Sequence, residues 1–145
     1  MRYNCNNNGR CSCGYKNNQN DKNEDNCNYV DISYRIKNHN HEYLSSTDYA
    51  KDDECVRHNH RIAGMTGPAI ECGNSHVHKI EGRTDTFCDH YHDLCDTTGP
   101  AIYLPDGKHI HLVKGKTACA DGHYHDYYFT TLVEDPTNVP KDKDC

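Results

Sequence analysis

Apolar surface is what this chain has least of. Its 145 residues include no tryptophan and two phenylalanines; Leu, Ile, Val and Phe together number 20, and the mean hydropathy is −1.06. No stretch approaches the ~20 apolar residues of a membrane-spanning helix. Met1 is followed at once by polar residues, so no classical signal peptide is expected. A 3.6-residue apolar period is missing too, which removes helical repeats such as ankyrin or tetratricopeptide arrays. So are a nucleophile elbow, a phosphate loop and a Ser-His-Asp arrangement. With a net charge of −6 and no basic stripe, nucleic acid is not an expected partner. A chain with so small a core needs staples, and metals and disulfides are the usual ones.

Isolated histidines are also absent. All twelve occur in His-x-His triplets: His39/His41, His58/His60, His76/His78, His90/His92, His109/His111 and His123/His125. In a β-strand, side chains at i and i+2 share one face about 6.6 Å apart, so two imidazoles can converge on one metal ion. On a helix the same spacing turns them roughly 200° apart. Continuing by twos from each pair gives Tyr43-Ser45-Thr47, Ile62-Gly64-Thr66, Ile80-Gly82-Thr84, Leu94-Asp96-Thr98, Val113-Gly115-Thr117 and Tyr127-Phe129-Thr131. Each face reads as two histidines, an apolar residue, a mostly small residue and a threonine, which predicts an inward-facing strand of about nine residues. Intervening residues such as Arg61, Glu81, Lys114 and Asp126 are polar and suit the solvent face.

The triplets group into three two-strand units, His39 with His58, His76 with His90, and His109 with His123. The last two units align at an offset near 33 residues, and Thr66-Gly67-Pro68-Ala69-Ile70 and Thr98-Gly99-Pro100-Ala101-Ile102 mark turns between units. The expected fold is all-β: three tandem antiparallel hairpins of ~33 residues, six short strands in all, with pseudo-threefold symmetry. Pairing Ile80 with His90 would set His78 opposite His92. Three bidentate triplets supply the six nitrogens of an octahedral site, either within one chain or between the chains of a homotrimer. Residues 29–135 form the expected repeat domain, between an extended Asn- and Cys-rich arm at 1–28 and a tail at 136–145.

The repeat resembles the YmaF family of small bacterial His-x-His proteins, found largely in spore-forming Firmicutes. The resemblance covers about residues 39–131 and rests on the triplets, the Thr-Gly-Pro-Ala-Ile motif and Asp121-Gly122-His123-Tyr124-His125. The segment Asp48 to Glu54 departs from it, as does the end of the sixth strand, which lacks Gly-Pro. A looser similarity is to trimeric phage tail-fibre needles, in which stacked triplets hold iron; that comparison implies a structural metal.

Ten cysteines form the second theme. Cys55, Cys72, Cys88 and Cys119 lie two to four residues before a triplet, where they can be extra zinc ligands or disulfide partners. Cys5, Cys11, Cys13, Cys27, Cys95 and Cys145 are candidates for disulfides within or between chains. So many cysteines suit a spore-surface or extracellular protein oxidised after release, with the cytoplasm as the alternative compartment. The reading that follows is a non-catalytic, self-assembling, disulfide-linked structural protein that binds a transition metal (iron, zinc, nickel or copper) and has itself as partner. A soluble metal store is the alternative. A metalloenzyme is the weaker rival, because six equivalent triplets make no one position special.

Overall fold

A computed structural model describes residues 38–52, 54 and 56–135. The arm, the tail, and Cys5, Cys11, Cys13, Cys27, Cys55 and Cys145 lie outside the described residues. Within them the chain is all-β. Its strands are β1 (Glu42–Ser46), β2 (Ala50–Lys51), β3 (Arg57–His58), β4 (Arg61–Met65), β5 (Ile70–Cys72), β6 (Ser75–Val77), β7 (Lys79–Arg83), β8 (Asp93–Thr97), β9 (Ala101–Tyr103), β10 (His109–Lys116) and β11 (Asp126–Thr130).

Three antiparallel ladders carry the structure: β1 with β4, β7 with β8, and β10 with β11. They are the three hairpins expected from the triplet spacing. The register differs from the expected one. Lys79 faces Thr97 and Arg83 faces Asp93, which brings His78 beside Thr98 and His92 beside Thr84. The two triplets of a hairpin therefore lie at opposite ends of the ladder rather than across from each other. The physical reason is the inner face itself. Setting the histidine end of one strand against the threonine end of its partner pairs the two inner faces along their length and leaves Asp85 to Tyr91 for a return loop. Pairing Ile80 with His90 would use up that loop.

The inner face follows period two as expected. Tyr43, Ile62, Ile80, Leu94, Val113, Tyr127 and Phe129 form the buried core, with Tyr43 stacked on Phe129 at 5.6 Å. The six threonines and eleven of the twelve histidines are buried alongside them. Glycine at mid-strand has a steric origin. Gly64 faces Tyr43 across the β1–β4 ladder and Gly115 faces Tyr127 across β10–β11, so a missing side chain admits each ring. Tyr127 donates its phenol hydrogen to Asp96 in this middle layer of the core.

Short accessory elements close the ends. A two-residue turn with Gly73 in the left-handed region joins β5 to β6. At Asp121-Gly122 both residues have positive φ, as an Asp-Gly turn favours, and Ala120 is bridged to His123 across it. The first hairpin carries the β2–β3 ladder where the repeat pattern is broken at 48–54.

A Cβ added at Gly64 would lie 2.5 Å from the Tyr43 hydroxyl oxygen and 2.8 Å from Cζ. Gly64→Ala is therefore expected to cost about 1–3 kcal/mol. Tyr43→Leu, which shortens the opposing side chain, should reduce that cost in a double-mutant cycle followed by denaturant unfolding. Strict additivity would refute the steric account.

Candidate metal centre

Antiparallel pairing sorts the triplets by strand. The first strands of the three hairpins bring His39, His41, His76, His78, His109 and His111 together at one end. The second strands bring His58, His60, His90, His92, His123 and His125 together at the other. Each hexad is complete within one chain, so no homotrimer is needed to fill it.

In the first hexad, the Nε2 atoms of His39, His76 and His109 form a triangle with edges of 3.1, 2.9 and 3.0 Å, and His41 Nε2 lies 3.2 Å from His109 Nε2. In the second, His58 is 3.1 Å from His90 and 3.2 Å from His123. His60 is 3.2 Å from His90, and His123 lies 3.2 Å from His92 and 3.1 Å from His125. All six ligand atoms of a hexad fall within 4.8 Å of one another. These are the edges and span of an octahedron. Dividing such an edge by √2 puts a centre about 2.2 Å from each nitrogen, close to the ~2.0–2.1 Å of a metal–imidazole bond.

The proton inventory supports the same conclusion. The second histidine of every triplet directs Nδ1 at a backbone carbonyl of a neighbouring hairpin. These contacts are His41 to Leu132 (2.8 Å), His60 to Asp85 (3.0 Å), His78 to Gly67 (2.9 Å), His92 to Ala118 (2.7 Å), His111 to Gly99 (2.8 Å) and His125 to Asp48 (2.8 Å). A carbonyl oxygen only accepts, so Nδ1 carries the hydrogen, and in a neutral ring Nε2 is left with a bare lone pair. Three such lone pairs then converge in each hexad, facing the Nε2 atoms of the other three rings at close range, a contact that a cation between them would relieve. Nε2 of His78 and of His111 are buried with no hydrogen-bond partner. Fixing the outer nitrogen so that the inner one ligates is how metal-binding histidines are oriented.

The threonines hold the histidine backbone. The N–H groups of His41, His60, His78, His92, His111 and His125 donate to Oγ1 of Thr66, Thr47, Thr98, Thr84, Thr131 and Thr117 at 2.9–3.1 Å. Each threonine N–H returns a bond to the same histidine's carbonyl at 2.8–2.9 Å. Period two put the threonines on the inner face, but this role is not evident from spacing alone. The signal available was that each threonine lies six residues after the second histidine of its triplet.

Carboxylates reach a few outer nitrogens. Glu134 Oε1 lies 3.1 Å from His109 Nδ1 while its Oε2 accepts from the His109 backbone N–H at 2.9 Å. Asp85 Oδ1 lies 3.3 Å from His60 Nδ1. No cysteine belongs to either hexad among the described residues: Cys72, Cys95 and Cys119 are half-buried outside them, and Cys88 is an exposed free thiol in the turn before His90. Six imidazoles already surround each centre.

Burial, reinforced by neighbouring imidazoles, pushes His76 down from 6.5 to about 3. Burial likewise takes His92 to about 3, and His78, His111 and His125 to about 4, although a backbone carbonyl opposes it in each. The folded state thus holds these rings neutral, while the unfolded chain protonates near pH 6.5. Their contribution to stability is complete above 6.5 and is lost as pH falls from there through 4 to 3. The denaturant midpoint of metal-free protein should accordingly drop steadily below pH 6.5. A midpoint constant between pH 7 and 4 would contradict the neutral-ring assignment.

No curated protein and no solved structure matches the chain. The sequence pattern of the YmaF family, described as "Spore germination protein GerY/YamF", matches residues 36–133. That span takes in all six triplets, both hexads and more than half of the sequence, and the protein therefore belongs to the YmaF family.

Proposed function

We propose that this protein is a non-catalytic, spore-associated structural protein whose fold is stapled by two transition-metal ions, one per histidine hexad. The observation that carries this reading is the convergence of unprotonated Nε2 atoms whose opposite nitrogens are tied to backbone carbonyls. Buried six-nitrogen sites leave no coordination position for water or substrate, which favours a structural over a catalytic metal. Six neutral imidazoles in octahedral array suit iron(II), nickel or cobalt better than zinc, which prefers four ligands in structural sites. The family description supports the association with spores.

Self-assembly and disulfide linkage belong to the same proposal. On this reading the half-buried Cys72, Cys95 and Cys119 pair in disulfides, and the exposed thiol of Cys88 is available for a second chain. The exposed strand β9, with Ile102 and Tyr103 on the surface, offers an apolar edge for a further copy. A spore-surface or extracellular fibre is the assembly this reading favours. Soluble metal storage is the competing role; it requires a fold that survives metal loss.

Elemental analysis of untagged protein should find two equivalents of one transition metal per chain, and chelation should remove β-structure along with metal. Replacing His78 and His111 together by Ala should lose one equivalent and lower the melting temperature by several degrees. Unchanged metal content and melting temperature would rule out coordination; metal loss with the fold intact would favour storage. Full-length protein that runs as a monomer under oxidising conditions would end the self-assembly part.

A further inference from the structure

The two hexads differ in how the chain closes around them. At the second hexad every hairpin turns back on itself, so three covalent loops, spanning 47–58, 84–90 and 117–123, surround the site. At the first hexad only two covalent connectors exist, 66–76 and 98–109. On the third side β1 begins and β11 ends, and no loop joins them. Among the described residues the backbone across that seam is joined by two hydrogen bonds, Leu132 N–H to the Glu42 carbonyl at 2.9 Å and His41 Nδ1–H to the Leu132 carbonyl at 2.8 Å.

Two further observations fall at the same end. His39 is half-buried, whereas the other eleven histidines are buried. Two residues past Leu132, Glu134 clasps His109 through both carboxylate oxygens, and His109 Nε2 is the nitrogen in contact with both His39 and His41 across the seam. The segment that closes the seam and the ring that borders it are thus tied to each other by one carboxylate.

We propose that the first hexad is an exchangeable site, taking up and releasing a divalent transition metal through the β1–β11 seam, while the second hexad holds its ion for as long as the chain stays folded. Glu134 is a positioning residue that keeps the His109 ring in place at the seam. Opening the first site requires parting one strand edge, a local event; opening the second requires displacing a closed hairpin loop together with its neighbours. Local openings lie at the low end of the stability range of a native protein. The inference rests on the metal reading above.

Full-length protein loaded with cobalt(II) alone and challenged with excess EDTA at neutral pH should release its metal in two phases of one equivalent each, with rates at least about tenfold apart. During the fast phase, hydrogen exchange measured by mass spectrometry should rise in peptides carrying His41, His78 and His111 before those carrying His60, His92 and His125. Glu134→Gln should speed the fast phase about tenfold and leave the slow phase unchanged. Two equivalents lost in a single phase, or the His60 peptides opening first, would overturn the inference while leaving the metal staples standing. A fast phase indifferent to Glu134→Gln would overturn the role of that residue. Protein that takes up no cobalt at all would instead remove the metal reading and this inference with it.

Discussion

Everything in this molecule depends on a proton at Nδ1. Six histidines donate that hydrogen to a carbonyl on the neighbouring hairpin, and the donation does two things at once. It turns a bare Nε2 lone pair toward the axis, and it ties one hairpin to the next. The carbonyl always belongs to the residue after an inner-face threonine, and the N–H of that same residue bonds back to the residue after the histidine, as Gly67 does to Lys79 and Ala118 to Asp93. These links use the backbone atoms of the accepting residue, which is why the six positions can be Asp48, Gly67, Asp85, Gly99, Ala118 and Leu132; Asp85 alone adds its carboxylate, accepting from the Arg61 N–H at 2.8 Å.

The links run in a closed ring at both ends of the barrel. At one end Gly67 reaches Lys79, Gly99 reaches Leu112 and Leu132 reaches Glu42; at the other Asp48 reaches Asp126, Asp85 reaches Arg61 and Ala118 reaches Asp93. Closure sets the outer edges of the three main ladders against one another and leaves the accessory strand β9 as an edge. It also explains how a chain with so few large apolar residues builds an interior. Seven core side chains fill the waist, and above and below them imidazoles occupy the positions where larger proteins place leucine and isoleucine.

Such an interior is neutral only while its rings are unprotonated, and its converging lone pairs are relieved only by a cation. On the proposed reading, metal bound in the two hexads contributes directly to folding free energy, as it does in small metal-stapled domains. The threonine clamps serve that end by holding the histidine backbone on both its N–H and its carbonyl, so that ring orientation is inherited from a rigid main chain. The exposed face carries none of this: Arg83 over Tyr91, Lys116 over Tyr124 and Arg57 over Tyr49 are surface cation–aromatic pairs around the second hexad, each worth about 1 kcal/mol or less.

Strand character, the inward direction of all six triplets, the core positions from Tyr43 to Phe129 and the grouping into three hairpins were legible in the residues alone. All of them follow from period two, a local property of an extended chain. Cys88 shows where that local periodicity ends: it lies two residues before His90, but its left-handed backbone breaks the strand there and the thiol is exposed. What only the tertiary structure decided was which triplets meet. His78 joins His41 and His111 rather than its own hairpin partner His92, because antiparallel pairing sends the two triplets of a hairpin to opposite ends. The three hairpins are then held in order by bonds between backbone atoms, which every residue carries and no side-chain pattern can announce.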